Sequence, residues 1–279
     1  MIRKQFLVVV FILSASSQVM GQGPPPGVTV KHLHLERYYA GHRGCFVLFD
    51  FRKNEYSQYG DKVCSTRFTP CSTFKIANSL IALETGVAPD TSFRIRYDSI
   101  AHPIDPALLD AEPFKHWPTD QTMSTAFRYS VVWYYQEVAT MIGKERMQSY
   151  VDSLDYGNRD ISTGIDHFWL SGSLTISANE QVELVKKLVE NRLSGFSAGA
   201  QEKVKGIMFR ESVGPAKLYG KTGGGSVGPD STIGWYVGFV ENGSDTYVFA
   251  MNIFANSFQD LAGKRVELTK EILHGIGIL

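Results

Sequence analysis

The sequence is short of cysteine, of net charge and of long apolar runs. It has 3 cysteines in 279 residues, and its 28 Lys and Arg residues balance its 28 Asp and Glu residues. The balanced charge leaves no basic patch for nucleic acid and no like-charge block typical of a disordered tail. No internal repeat of solenoid or propeller length is present. The chain is long enough to bury a full core, as one large domain or two intertwined subdomains.

The N-terminus has the pattern of a secretory signal peptide. Arg3 and Lys4 precede an apolar run from Phe6 to Leu13, and small or polar residues follow. Signal peptides have a charged, an apolar and a small-residue region in this order, and this run is far shorter than the ~20 residues that span a bilayer. We expect residues 1–21 to be the signal peptide and residues 22–279 to be a single mature domain, periplasmic and without a stable membrane anchor. The alternative is an uncleaved N-terminal anchor.

The predicted export would place the cysteines in an oxidising compartment, where disulfides can form. Cys64 and Cys71 lie on either side of a turn and could form a bridge, whereas Cys45 lies in an apolar strand. At least one cysteine stays unpaired, and the alternative is that all three are reduced. No cysteine spacing resembles a metal site. His32 and His34 lie in an alternating stretch without further ligands nearby, so we predict no metal site.

Hydrophobic periodicity predicts strands near both ends of the chain and helices between them. The expected fold class is α+β: an antiparallel sheet from both termini, flanked by helices (about 28–85 and 195–279), plus a helical subdomain (about 86–194). Loops are expected at 87–120 and 156–172. Strands are predicted at 44–50, 216–222, 232–240 and 246–253, and helices at 122–142, 144–154, 177–193, 198–209 and 259–275.

The stretch from Arg67 to Gly86 predicts a buried central helix. Pro70 stands where the first turn tolerates a missing N–H group, and Gly86 stands where helices end. The residues between them leave almost no polar face. Ser72 and Lys75 are three residues apart and share one face of the first turn. A hydroxyl and an amine side by side at the start of a buried helix suggest an activated nucleophile with an unusual base.

Ser-x-x-Lys alone carries little information, because about one match is expected by chance in a chain of this length. Further short motifs follow it in the chain. They are Ser130-Val-Val132, Tyr156-Gly-Asn158, Phe168-Trp-Leu170 and Lys221-Thr-Gly223. Tyr-Gly-Asn and Lys-Thr-Gly are each expected by chance in only roughly a few per cent of chains of this size. Their joint presence and order make coincidence untenable.

Together these motifs resemble those of the penicillin-recognising serine enzymes, and within them the class D (OXA-type) β-lactamases. Tyr156-Gly-Asn158 with Trp169 is the element similar to class D. The Glu-x-x-Leu-Asn loop of a class A enzyme is absent from the sequence. The resemblance covers essentially the whole mature chain and implies a β-lactamase/transpeptidase-like form of the α+β fold.

The resemblance also implies a role in acyl transfer for each motif residue. Ser72 would be the nucleophile and Lys75 the general base, N-carboxylated by CO2 or bicarbonate and held by the indole N–H of Trp169, with no other cofactor. Ser130 would relay a proton to the leaving ring nitrogen. The remaining site residues are the oxyanion donors Ser72 and Gly224, the carboxylate partners Lys221, Thr222 and Arg265, and the apolar walls Val132 and Leu170. Lys264 is adjacent to Arg265, so either cation fits that position.

The expected base needs an unusual environment. A free lysine has a pKa of ~10.4 and is almost entirely protonated near neutral pH, so it accepts no proton. Burial disfavours the ammonium form, and lowering the pKa by about three units takes about 4 kcal/mol, which full burial supplies. The apolar helix around Lys75 therefore predicts a neutral amine, which is the form needed for the reaction with CO2 that the resemblance implies.

The expected function is hydrolysis of the β-lactam amide of penicillins and related small molecules, which confers antibiotic resistance. One alternative is a sensor domain that is acylated but does not turn over, and another is a cell-wall transpeptidase or carboxypeptidase. A monomer and a homodimer are both compatible with the sequence. The sequence departs from the family pattern at two places. Cys71 precedes the nucleophile where many relatives have a small residue, and a disulfide there would stiffen the approach to Ser72. Gly224-Gly225 replaces a bulkier side chain, which affects the expected substrate profile.

Overall fold

The computed structural model describes residues 21, 23, 28–170 and 172–279. The predicted signal peptide therefore lies outside the described residues, except for Gly21. The strands of the described part are β1 (Val30–His32), β2 (Gly44–Asp50), β3 (Glu55–Tyr59), β4 (Arg94–Ile95), β5 (Gln121–Thr122), β6 (Phe209–Val213), β7 (Ala216–Gly228), β8 (Ser231–Asn242) and β9 (Asp245–Ala255).

The α-helices of the same part of the chain are α1 (Glu36–Tyr39), α2 (Asp61–Ser65), α3 (Lys75–Glu84), α4 (Met123–Arg128), α5 (Val132–Ile142), α6 (Lys144–Ser153), α7 (Ala178–Val189), α8 (Ala198–Met208) and α9 (Lys264–Gly275). Short 3-10 turns at Cys71–Phe74, Pro106–Leu108, Phe114–His116 and Gln259–Leu261 connect them. No helix in the residues described is both long and apolar enough to cross a membrane.

Strands from both ends of the chain meet in one sheet of seven strands, in the order β1-β3-β2-β9-β8-β7-β6. All neighbouring pairs are antiparallel except β1 and β3, which are parallel. The N-terminal strand β2 pairs with the C-terminal strand β9 along its whole length. The predicted α+β fold, with a sheet built from both termini, is confirmed.

Two apolar layers cover the two faces of the sheet. Along β2, Val47 and Phe49 face a large core that also contains buried residues of α3, α5, α7 and α8. Phe46 and Leu48 face the opposite way, into a smaller core under α9. Successive side chains of a strand point to opposite faces. A strand covered on both faces therefore reads as a continuous apolar run, which is the pattern that the sequence shows.

The central helix is shorter than predicted. Cys71–Phe74 form a 3-10 turn, and regular α-helix begins only at Lys75. Cys71 has a φ of 49°, and the hydroxyl of Thr73 donates to the carbonyl oxygen of Pro70 at 2.8 Å. A threonine side chain that bonds to nearby backbone competes with the helical ladder. Ser72 therefore lies in a tight turn before α3, and α3 ends before Gly86, where a φ of 72° stops it.

Four further segments differ from the sequence prediction. The predicted helix at 122–142 is divided into α4 and α5, because Ser130 has a left-handed φ of 59°. The 87–120 loop contains the two-residue strand β4, which pairs with β5. Strand β6 was not predicted, and the closing helix begins at Lys264 after a separate 3-10 turn. Two-residue strands and short turns leave no hydrophobic periodicity in a sequence, so pattern reasoning does not detect them.

All three cysteines are free and buried, so the possible Cys64–Cys71 bridge does not form in this structure. The Cys64 thiol donates to the carbonyl oxygen of Tyr59 at 3.2 Å. Cys71 instead faces the hydroxyl of Thr69 and lies against the strand that contains Gly225. Burial raises the pKa of the Cys71 thiol to about 11. A thiol with so high a pKa is a weak nucleophile at neutral pH.

The irregular stretch after α6 is held to the chain near 173–175 by the Tyr-Gly-Asn motif. The amide nitrogen of the Asn158 side chain donates to the Ser173 carbonyl oxygen at 2.6 Å, and its oxygen accepts from the Thr175 N–H at 2.9 Å. Gly157 has a φ of 54°, and a Cβ there would lie 1.9 Å from the carbonyl oxygen of Thr175. Only glycine fits at this position, so the motif shapes a turn.

Replacing Gly157 with alanine is expected to lower the free energy of unfolding by at least about 2 kcal/mol, from backbone strain and the clash with Thr175. Gly206→Ala is the matched control, because Gly206 lies in α8 with open space around it. That change is expected to raise stability by roughly 0.5–1 kcal/mol. Urea unfolding of both variants gives the comparison. A Gly157→Ala variant as stable as the parent protein would contradict the assignment.

Candidate active site

Ser72 and Lys75 are in direct contact. Ser72 is half-buried in the turn before α3, and Lys75 is the first residue of the helix and fully buried. The Lys75 Nζ atom is hydrogen-bonded to the Ser72 Oγ atom at 2.8 Å. Burial lowers the pKa of Lys75 from 10.5 to about 7 against an opposing effect of the nearby Cys71 thiol. The amine therefore has a large neutral fraction near pH 7, and a neutral amine accepts a proton.

Aromatic rings lie close to Lys75. The Phe74 ring stacks on the Trp169 ring at a centroid distance of 5.7 Å. The Tyr135 ring centroid lies 5.4 Å from the Lys75 Nζ atom. Sequence reasoning missed Tyr135, although it lies three residues after Val132 and therefore on the same side of α5. Val132 itself is half-buried and lines the open side of the site.

Trp169 carries a buried donor, its indole N–H, that has no partner in the part of the chain that the structure describes. The backbone of Trp169 is fixed, because its carbonyl oxygen accepts from the Thr69 hydroxyl at 2.9 Å. An unsatisfied buried N–H group costs roughly 1–3 kcal/mol, which makes it a position where a further acceptor binds favourably.

Ser130 and Lys221 form a second pair of a hydroxyl and an amine at the site. The Lys221 Nζ atom donates to the Ser130 Oγ atom and to the Thr222 carbonyl oxygen, at 2.8 Å each. Ser130 reaches Lys221 because its left-handed φ breaks the chain between α4 and α5. Lys221 is fully buried, and burial, together with the charges of Lys75, Arg210 and Arg265, holds its pKa well below the usual value. An anionic ligand beside these cations would offset their mutual repulsion.

Arg265, and not Lys264, is the cation directed into the site. It lines the cavity, its guanidinium lies 5.3 Å from the Phe258 ring centroid, and its side chain is 8% exposed. One terminal nitrogen donates to the Leu261 carbonyl oxygen at 3.0 Å, whereas Nε has no partner in the described part of the chain. Lys264 instead contacts the His42 ring at 2.7 Å. Burial lowers the pKa of Arg265 to about 10, so it remains a cation at neutral pH.

Strand β7 approaches the nucleophile because it contains glycine. A Cβ at Gly223 would lie 2.8 Å from the Pro70 carbonyl oxygen and 3.1 Å from the Thr73 side chain. A side chain there would push β7 away from the turn that carries Ser72. Glycine at this position therefore brings the backbone of Gly224 to the cavity that Ser72 also lines.

These groups surround a cavity of about 250 Å³. Its lining residues are Ser72, Pro113, Phe114, Trp117, Ser130, Val132, Leu170, Thr222, Gly223, Gly224, Phe258 and Arg265. Every predicted site residue lines this cavity or hydrogen-bonds to a residue that does, except Trp169, which packs beneath it against Phe74. The structure brings the predicted residues together.

Four aromatic or proline residues of the rim were missed from the sequence. Pro113, Phe114 and Trp117 come from the 99–120 loop, whose role the sequence left open, and Phe258 follows β9. A Cβ at Gly224 would lie 2.6 Å from the Phe258 ring, so this ring occupies the space of the bulkier side chain that the sequence lacks at 224. The glycine pair after Lys-Thr-Gly was the only available signal of such a neighbour.

Comparisons with known proteins point to the same family as the sequence motifs. The family described as "Penicillin binding protein transpeptidase domain" matches residues 46–274. The chain is 34% identical to the probable beta-lactamase YbxI of Bacillus subtilis, over 99% of both chains. It resembles the solved structure of FUS-1 (OXA-85), a class D beta-lactamase from Fusobacterium nucleatum, with a TM-score of 0.79, 35% identity and coverage of 88% of this chain and 96% of that one.

A receptor domain is similar to the same degree. The C-terminal domain of the Bacillus licheniformis BlaR penicillin-receptor has a TM-score of 0.82 and 31% identity, and the match covers 91% of this chain and 99% of that domain. The chain spans only 36% of the length of the regulatory protein BlaR1. Both groups of relatives share the fold and the site region. The chain therefore belongs to the penicillin binding protein transpeptidase domain family, among the homologues of the class D β-lactamases.

Proposed function

We propose that the protein is a serine β-lactamase that hydrolyses the β-lactam amide of penicillins and related antibiotics and so confers resistance. The observation that carries this proposal is the buried Lys75 amine, with a pKa of about 7, hydrogen-bonded to the Ser72 hydroxyl at 2.8 Å. Such a pair is a nucleophile with its own base. Because the N-terminal sequence has the pattern of a signal peptide, we propose that the enzyme acts in the periplasm.

The arrangement supports acyl transfer in two stages. The Ser72 oxygen attacks the β-lactam carbonyl carbon as the Ser72 proton moves to the base at Lys75. The backbone N–H groups of Ser72 and Gly224 are the proposed donors to the oxyanion. The Ser130 hydroxyl, bonded to Lys221, delivers a proton to the ring nitrogen as the amide bond breaks and takes up the proton that the base received from Ser72. Water then attacks the ester on Ser72 as one of its protons moves to the same base, and the base returns that proton to the Ser72 oxygen as the opened product leaves.

The substrate carboxylate has a matching set of partners. Thr222 and Arg265 line the cavity, Lys221 is hydrogen-bonded to the lining residue Ser130, and Lys221 and Arg265 are buried basic groups. A carboxylate accepts charge-assisted hydrogen bonds from such groups more strongly than from neutral donors. Its arrival also relieves the repulsion between the buried cations. These residues therefore orient the substrate so that its carbonyl faces Ser72.

We also propose that Lys75 is N-carboxylated. Reaction with CO2 requires the neutral amine, and the lowered pKa supplies it near pH 7. The resulting carbamate would supply an anionic base and hydrogen-bond acceptor. The buried Trp169 Nε1, which has no acceptor among the described residues, is a suitable donor for one of its oxygens. The Phe74 and Trp169 rings keep water from this space.

The alternative is a penicillin receptor that is acylated but not deacylated. It is favoured by the likeness to the BlaR receptor domain, which has a slightly higher TM-score and a slightly lower identity than the likeness to the enzyme FUS-1. Receptor and enzyme share the first stage and differ only in hydrolysis of the ester. Turnover, and not labelling, therefore distinguishes them.

Mixing the protein with excess chromogenic cephalosporin is expected to give continuous product release well beyond one equivalent. Ser72→Ala removes the nucleophile and is expected to abolish both turnover and covalent labelling by penicillin, while the fold is retained because Ser72 is half-buried at the cavity. Product release should be followed by stopped-flow absorbance and labelling by intact mass. A single stoichiometric burst without further release would establish the receptor instead.

Activity in CO2-depleted buffer is expected to fall as pH drops below about 7, because Lys75 then binds a proton. The neutral fraction decreases about tenfold for each further pH unit. Added bicarbonate is expected to restore activity at pH 7.5.

Trp169→Phe removes the indole donor and is expected to raise the bicarbonate concentration that gives half-maximal activity. Trp133→Phe is the matched control, because its indole donates to the Trp117 carbonyl oxygen. Activity indifferent to bicarbonate would contradict the proposed carboxylation.

Gly224→Ala is expected to lower kcat/KM, because its Cβ meets the Phe258 ring and displaces the proposed oxyanion donor. Phe258→Ala opens that space, so the double variant is expected to recover much of the loss. The coupling energy should lie within about 0.5–3 kcal/mol, as for residues in contact. Steady-state kinetics of the four proteins measure it. Strictly additive effects would show that Phe258 does not limit position 224.

A further inference from the structure

A second group of chemically active side chains lies far from the cavity, at the edge strand β1. The ligand atoms of His32, His34 and Glu36 all lie within 4.8 Å of one another. The two imidazole rings are 5.4 Å apart between centroids and nearly perpendicular. In the sheet, four strands separate β1 from β7, which carries Lys221. This group has no part in the proposed acyl transfer.

The local fold explains why these side chains converge. His32 ends strand β1, and the extended chain continues through Leu33, whose N–H donates to the Gln58 carbonyl oxygen at 2.7 Å. Residues two apart in an extended chain point the same way, so His32 and His34 share a side. Leu33, between them, packs against the core under α9. Helix α1 then begins at Glu36 and turns its carboxylate back towards His34.

A fourth ligand comes from a neighbouring segment. Strand β3 runs parallel to β1 and pairs His32 with Gln58. After β3, Gly60 adopts a φ of 76° and α2 begins at Asp61. The Asp61 Oδ1 atom lies 3.8 Å from His32 Nδ1, and the Glu36 Oε1 atom lies 3.9 Å from His34 Nδ1. Each imidazole therefore faces one carboxylate.

We propose that His32, His34, Glu36 and Asp61 bind one divalent late transition-metal ion, with Zn²⁺ as the representative case. Imidazole nitrogen suits Zn²⁺, Cu²⁺ and Ni²⁺, whereas Mg²⁺ and Ca²⁺ prefer sites made of oxygen ligands. Two nitrogens and two carboxylate oxygens complete a tetrahedral zinc site.

The geometry permits closure around an ion. Ligands at about 2.0–2.1 Å from a tetrahedral zinc ion lie roughly 3.3 Å from one another. The ligand atoms of His32, His34 and Glu36 lie within 4.8 Å of one another, so these three need shifts of about 1 Å or less per side chain. Asp61, which lies 3.8 Å from His32 and outside that cluster, moves further to reach the ion. The side chains are 53% to 85% exposed, so they rotate without displacing core residues.

Binding would connect three separate segments. His32 and His34 belong to the edge strand and its extension, Glu36 to α1, and Asp61 to α2. An ion held by all three binds the folded chain and not the unfolded one, so it stabilises the fold in proportion to its free concentration. The sequence prediction of no metal site was based on the lack of further ligands beside the two histidines. The structure places two carboxylates next to them.

The test is calorimetric titration of the protein with ZnCl2 after removal of any affinity tag, with MgCl2 titrated in parallel. We expect saturable one-to-one binding of Zn²⁺ and no binding of Mg²⁺. His32→Ala and His34→Ala are each expected to weaken Zn²⁺ binding at least about 10-fold, as loss of a ligand exceeds the effect of losing a supporting contact. His167→Ala, which removes another exposed histidine, is the matched control and should bind as the parent protein does.

A second readout keeps the result independent of folding defects. Zn²⁺ is expected to raise the melting temperature of the parent protein and of His167→Ala, but not that of a His32→Ala/His34→Ala double variant with an unchanged circular dichroism spectrum. X-ray absorption of the zinc complex should show nitrogen and oxygen ligands and no sulfur. Equal Zn²⁺ affinity in the parent and the histidine variants, or no saturable binding, would overturn the proposal. Cephalosporin hydrolysis has no bearing on either outcome.

Discussion

The rest of the site depends on one energetically unfavourable feature, the complete burial of the Lys75 amine. Lowering its pKa from 10.5 to about 7 costs folding about 5 kcal/mol at neutral pH. The sign follows from the direction of the shift, because the folded chain releases this proton above about pH 7 while the unfolded chain keeps it to about 10.5. The free energy of unfolding therefore rises with pH between about pH 7 and about pH 10.5, and below about pH 7 it is lowered by the full cost of burying the amine. A penalty of this size matches the lower end of the stability of a typical domain. The packing of Phe74 and Trp169 helps to cause the penalty, because it keeps water from the site, and it also helps to offset the penalty, because it buries apolar surface.

The same burial explains why the site is assembled from distant segments. The 3-10 turn that leads into α3 supplies Ser72 and Lys75, but burial on all sides needs walls from α5, from the loop that carries Trp169 and from β7. Each wall approaches through one local feature: the left-handed Ser130, the Tyr-Gly-Asn turn, or the missing side chain at Gly223. The left-handed φ of Ser130 is costly for the backbone alone and persists because the surrounding packing fixes it.

Much of the fold and the pairing of Ser72 with Lys75 could be predicted from the sequence, because both are local patterns. Alternating or continuous apolar residues identify strands, and a spacing of three identifies neighbours on a helix. The break at Ser130 could not, since apolar residues continue at helical spacing through it. Phe258 was hidden for another reason: it reaches Gly224 across the sheet, and no local pattern encodes a contact between segments. The ligand pairing of His32 with Asp61 depends in the same way on a parallel strand register.

The likeness to both enzymes and a receptor follows from what the buried pair does. Acylation requires one proton transfer from Ser72 to the base, and any environment that keeps Lys75 neutral permits this transfer. Hydrolysis of the ester makes a further demand, because a base must again be available beside Ser72 to take a proton from water. An anionic base at Lys75 would be attracted to the buried basic groups near it, Lys221 among them. The buried Trp169 Nε1, which has no acceptor among the described residues, favours such an anion. We therefore expect the fate of the acyl-enzyme to depend on the space beside this indole and not on the nucleophile.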